Sequence, residues 1–178
     1  TTAGVRACDF TQVGLQSGYN VRNLVTIEAL HRVRGVLLEG QVAPDAPTPA
    51  IVGDGTSAAP YEVTLPFSDV RDTTTAGSRE IAAYPGCMAA QDESGPEIYY
   101  RLELAAPTRV RAQVFDRGEV DIDLHLLTAP DGASCVERDH RALVVDLAAG
   151  THWFVLDTFT NGAGRELGGE YLFVVMAQ

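Results

Sequence analysis

The densest run of ionisable side chains in the sequence is Asp116-Arg-Gly-Glu-Val-Asp-Ile-Asp123. In an extended chain, Glu119, Asp121 and Asp123 project from one face, with neighbouring Cβ atoms about 6–7 Å apart. Three carboxylates at that spacing repel one another unless water, Arg or a cation compensates. Two readings follow. Calcium takes several carboxylate and carbonyl oxygens, so Glu119, Asp121 and Asp123 suit a calcium site. Alternatively the stretch is a solvent-facing strand edge whose charge hinders edge-to-edge pairing. The Asp-x-Asp-x-Asp-Gly spacing of an EF-hand is absent, and the sequence locates no second acid for a glycosidase-type pair.

The remaining reactive residues are scattered. Cys87 and Cys135 each lie in a turn-rich context and read as one disulfide formed in an oxidising compartment. Cys8 is then left over, as a thiol that is free, intermolecular or missing its partner. No Cys-x-x-Cys pair exists, and His125, His140 and His152 lack ligand spacing, so zinc is not expected and these histidines read as structural. Ser57 has a single His upstream, His31, and a Ser without a positioned base is an ordinary alcohol. Tyr99, Trp153, Phe159 and Tyr171 either pack a core or, if exposed, line a binding surface.

These residues need a scaffold, and the composition supplies one. The chain has 178 residues, 46% of them apolar, enough for one full domain with a buried core and at most a small appendage. The formal charge of −11 is uneven: residues 61–178 hold 19 acids against 9 Arg, whereas residues 1–60 hold 5 against 4. Such a surface repels phosphate backbones and anionic headgroups, which argues against nucleic acid or a membrane surface as partner. No apolar run reaches the roughly 20 residues that span a bilayer. The chain opens at Thr1 without Met or a leader, as a processed product does.

Three stretches separate. Residues 1–42 form an N-terminal extension in which Thr26 to Arg34 reads as one helix, capped by Thr26 and ended by Gly35. Residues 43–60, with Pro44, Pro47, Pro49 and Pro60, read as a linker. From Tyr61 the hydrophobic period becomes two. Ile98, Tyr100, Leu102 and Leu104 share one face, as do Val110, Ala112 and Val114. Ile122, Leu124 and Leu126 alternate with Asp121, Asp123 and His125, the pattern of half-buried antiparallel strands. Leu143–Leu147, His152–Phe159 and Tyr171–Met176 are more continuously apolar, as strands within a sandwich are. Turn residues separate the runs. The expected fold is all-β: an antiparallel sandwich or jelly-roll-like domain over 61–178 with a short N-terminal extension.

Four motifs in this order resemble the bacterial pre-peptidase C-terminal (PPC) domain. Asp121-Ile-Asp-Leu-His-Leu126 is similar to its Asp-x-Asp-Leu-x-Leu strand, and Ala149-Gly-Thr-His-Trp-Phe-Val155 to its Pro-Gly-Thr-Tyr-Tyr-Val strand. Gly169-Glu-Tyr-Leu-Phe-Val-Val175 is similar to its closing strand, and Gly95-Pro-Glu-Ile-Tyr-Tyr100 stands at its entry strand. The resemblance covers about residues 62–178. It implies a non-catalytic accessory or binding module of an exported bacterial hydrolase, secreted or at the cell surface, with a protein or extracellular polymer as partner. The alternative is a structural subunit or adhesin of a surface assembly, self-associating through the N-terminal extension docked on a neighbouring copy. Gly55-Thr-Ser-Ala-Ala-Pro60 is similar to the subtilase nucleophile motif with its Met deleted. The strand-like Tyr61–Leu65 replaces the helix that family needs there, so no catalysis is expected.

Overall fold

The computed structural model describes residues 51–178, and the expected extension, its helix and residues 43–50 of the expected linker lie outside them. Among the described residues nine strands form two sheets: β1 (Tyr61–Val63), β2 (Phe67–Asp72), β3 (Ile98–Leu104), β4 (Thr108–Asp116), β5 (Ile122–Leu127), β6 (Cys135–Asp139), β7 (Ala142–Leu147), β8 (Gly150–Thr158) and β9 (Glu170–Ala177). One sheet runs in the order β1-β3-β8-β5-β6 and the other β2-β9-β4-β7. All pairings are antiparallel except β1 beside β3, where Tyr61 aligns with Tyr100. The described residues thus form an all-β sandwich.

Between the sheets lies the main core, built from the alternating residues of the inner faces. Tyr100, Leu102, Val110, Ala112, Val114, Ile122, Leu124, Phe154 and Phe173 are all buried in it. Each fully buried large apolar side chain contributes about 1.5–3 kcal/mol relative to exposure. Phe173 is central, with ring centroids 4.8 Å from Tyr100 and 5.7 Å from Phe154. The Tyr100 and Tyr171 hydroxyls lie 2.7 Å apart, which gives each polar tip a partner inside an apolar layer.

A second, smaller core covers the opposite face of the first sheet. Residues 78–97, without a strand of their own, lie across it, and Ile81 and Tyr84 pack on Tyr99, Leu127, Val155 and Cys135. Cys87 and Cys135 are joined in a disulfide, with Cα atoms 5.2 Å apart, which fastens the cover to the start of β6. A tight turn at Pro85–Cys87 makes the approach, and Gly86 allows it: any Cβ there would overlap the carbonyl oxygens of Ala133 and Cys135.

This cover overturns one expectation about β5. Period-two alternation should leave Asp123 and His125 on a wet face, yet all six residues of β5 are buried. β5 is also no edge, since it lies between β8 and β6. The described part of the expected linker, residues 51–60, holds no strand but is bonded to the sandwich: Tyr99 N donates to Gly55 O (2.8 Å) and Glu62 N to Val52 O (2.9 Å).

Candidate functional site

The covered face of the first sheet gathers buried Glu93, Asp123, His125 and Asp157. Asp123 projects from β5 with 3% of its side chain exposed, and Arg138 Nη2 from β6 lies 2.7 Å from its Oδ2. The β5–β6 hairpin aligns Leu124 with Asp139, which sets His140 beside Asp123. The His140 Nδ1 lies 2.9 Å from Asp123 Oδ1 and 3.2 Å from Asp121 Oδ1. Asp121 sits just before β5, where its N–H donates to Leu167 O (2.8 Å) and its carbonyl accepts from Phe159 N (3.2 Å). Beside it, Asp116 is held by Arg141 and accepts from Ile122 N, which fixes the β4–β5 connection.

The covering segment adds Glu93, fully buried, whose carboxyl meets that of Asp123. Its nearest cation is Arg138, at 3.8 Å. Burial, reinforced by the facing Asp123, pushes the Glu93 carboxyl up to about 9. Asp123 moves the other way. Burial raises it, but the contacts from Glu93, His140 and Arg138 outweigh burial and hold it below the usual carboxylate range. Burial raises Asp121 too, against the attraction of His140. His125 stacks on Tyr84, ring centroids 3.6 Å apart, and burial drives its pKa down to about 3, so it is neutral at physiological pH. The Tyr84 hydroxyl donates to buried Asp157 Oδ2 (2.6 Å).

Of the three carboxylates read as one calcium-type face, only Asp121 and Asp123 come together. Glu119 stands in the turn before them, its side chain 76% exposed and paired with Arg165 at 2.6 Å. The residues from 117 to 121 are not an extended strand, so the spacing argument does not reach Glu119. His140 takes its place in the cluster, and Glu93 stands behind; neither was expected. The four aromatic residues considered for a binding surface do not form one. Tyr99 is buried under the cover, Tyr171 is buried between the sheets, and Trp153 and Phe159 are half-buried.

Ser57 lies in the turn closed by Asp54 N and Gly55 N donating to Ala59 O. A separate groove of about 370 Å³ is lined by Thr73–Gly77 and flanked by Arg79 and Glu166, which pair bidentately at 2.6 and 2.7 Å. No helix among the described residues is long and apolar enough to cross a membrane.

No family model matches the sequence, and no curated protein matches it. Solved structures similar to this chain include the pre-peptidase C-terminal domain of collagenase from Bacillus anthracis, with 11% identity, covering 64% of this chain and 91% of that one, TM-score 0.43. PliG of Aeromonas hydrophila, a periplasmic inhibitor of g-type lysozyme, shares 13% identity over 66% of this chain and 94% of its own, TM-score 0.42. CBM35 from Cellvibrio japonicus Abf62 shares 14% over 61% and 97%, TM-score 0.27. Likenesses this remote fix no family, ligand or partner for this chain, whose shown features are the sandwich and its disulfide.

Proposed function

We propose that this chain is a non-catalytic accessory domain of the PPC type, working outside the cytoplasm and contacting a protein or extracellular polymer for an exported hydrolase. The observation that carries the non-catalytic part is the commitment of each described histidine. His125 is buried against Tyr84, His140 bonds Asp123, and His152 Nε2 lies 2.9 Å from Ala148 O. Nucleophilic Ser chemistry needs a base within hydrogen-bond reach and a group orienting that base. The described histidines are engaged by these partners instead.

Support for the setting comes from the Cys87–Cys135 disulfide, since such bonds persist in oxidising compartments. Support for the module type comes from the four sequence motifs, three of which fall on β5, β8 and β9 of one sandwich. The test is exposure of the full chain to a fluorophosphonate probe, with casein and generic esters as substrates. No labelling and no turnover is the expected result. Stoichiometric labelling at Ser57, abolished by Ser57→Ala, overturns the reading.

A further inference from the structure

We propose that Asp121, Asp123 and His140 form a binding site for a divalent transition ion of the zinc class, using one oxygen of each carboxylate and Nδ1 of the imidazole. This goes beyond the accessory-domain reading and does not depend on it.

The donor atoms already converge. All three lie within 4.8 Å of one another, and His140 Nδ1 is 2.9 and 3.2 Å from the two carboxylate oxygens. Ligands about 2.0–2.1 Å from a tetrahedral ion stand about 3.3 Å from one another, so the 3.2 Å separation fits as it is and the 2.9 Å one must open slightly. A proton on Nδ1 explains the arrangement less well. One N–H serves one acceptor, and here it serves Asp123 Oδ1; the buried Asp121 Oδ1 has no hydrogen-bond partner. An ion between the three atoms satisfies both oxygens at once. The second oxygen of Asp123 is held by Arg138, the kind of outer contact that orients a metal-binding carboxylate.

A separate element closes the cluster on one side. Glu93 comes from the covering segment, is fully buried and packs against Asp123. The cluster is closed on this side and open on the other, where 25% of the Asp121 side chain and 40% of the His140 side chain reach solvent. An ion therefore has a route in.

The donor set decides the class. Calcium takes six to eight oxygens and suits flexible all-oxygen loops, whereas imidazole with carboxylate suits zinc-like ions and leaves a fourth position for water. With Glu119 drawn away to Arg165, the oxygens for calcium are too few. Bound there, the ion ties the β4–β5 connection to the turn after β6.

The test uses the full chain stripped with chelator, titrated calorimetrically with zinc, manganese and calcium chlorides at neutral pH. The His140 imidazole is followed by NMR through its Nδ1 signal. One equivalent of zinc is expected, with a perturbed His140 Nδ1, a raised melting temperature and weaker calcium binding. His140→Ala and Asp121→Asn should each weaken zinc roughly tenfold or more, in the range lost when metal-site contacts are removed, while Glu119→Gln leaves it unchanged. Asp121→Asn and the wild-type NMR signal keep the test valid if His140→Ala folds poorly. Three results overturn the proposal: no saturable zinc binding, zinc binding as tight in both variants as in the wild type, or tighter binding of calcium that Glu119→Gln abolishes.

Discussion

Replacing Cys87 and Cys135 together by Ser removes a cross-link between residues 48 apart. In the chain-entropy description, a closed loop of that length restricts the unfolded chain by about 4 kcal/mol at 25 °C. Residual structure in the unfolded state lowers the realised value, so the expected loss is about 2–4 kcal/mol. Against a typical stability of about 5–15 kcal/mol, that is a large share but not the whole. The loop encloses β3, β4 and β5, whose inner faces build the main core, so the sandwich should survive while the cover over residues 78–97 loosens. Two probes separate these effects in a urea titration. Circular dichroism follows the strands. Fluorescence of Trp153, the single Trp of the chain, follows the cover, because Trp153 packs against the layer containing Cys87 and Cys135. The variant should unfold at lower urea with a larger m-value, since its unfolded state exposes more surface. Its native Trp153 emission should also change. A stability loss below about 1 kcal/mol with unaltered Trp153 emission would refute the argument that the disulfide fastens the cover.

Phe173→Ala removes the ring that meets Tyr100 and Phe154, and should cost about 3–5 kcal/mol in the same titration. Gly86→Ala forces a Cβ against the Ala133 and Cys135 carbonyls and should cost about 1–3 kcal/mol, whereas Gly162→Ala, with open space around it, should be near neutral. Glu97 accepts from Ser78 Oγ (2.9 Å) and Glu80 N (2.8 Å), and burial raises its carboxyl above the ordinary value of 4.5. The native state then holds this proton to higher pH than the unfolded chain, so stability is lost as pH rises from 4.5 through the raised value. Glu97→Gln keeps both acceptor contacts and does not titrate. Its midpoint should exceed that of the wild type at neutral pH, with the gap closing below pH 4.5, and a gap of constant size from pH 4 to 8 would count against this.

The sequence by itself determined the sandwich and most of its strands. Val110, Ala112 and Val114 alternate with polar neighbours because β4 buries one face, and that local period survives in any tertiary setting. It also paired Cys87 with Cys135, since few alternatives exist with three cysteines. β2 (Phe67–Asp72) and β6 (Cys135–Asp139) were illegible because they are short and largely polar, and pairing with β9 and β5 makes them strands. The site depended on β6. Once Leu124 aligns with Asp139, hairpin register sets His140 opposite Asp123, so recognising that strand would have found the histidine. Asp123 and His125 carry the period of a wet face and are nevertheless buried. A period of two reports which residues share a face of a strand. It does not report whether that face meets water or, as here, a segment from elsewhere in the chain. That covering segment brings Glu93 to Asp123 without any local pattern to announce it, so only the tertiary structure could decide the depth and chemistry of the cluster.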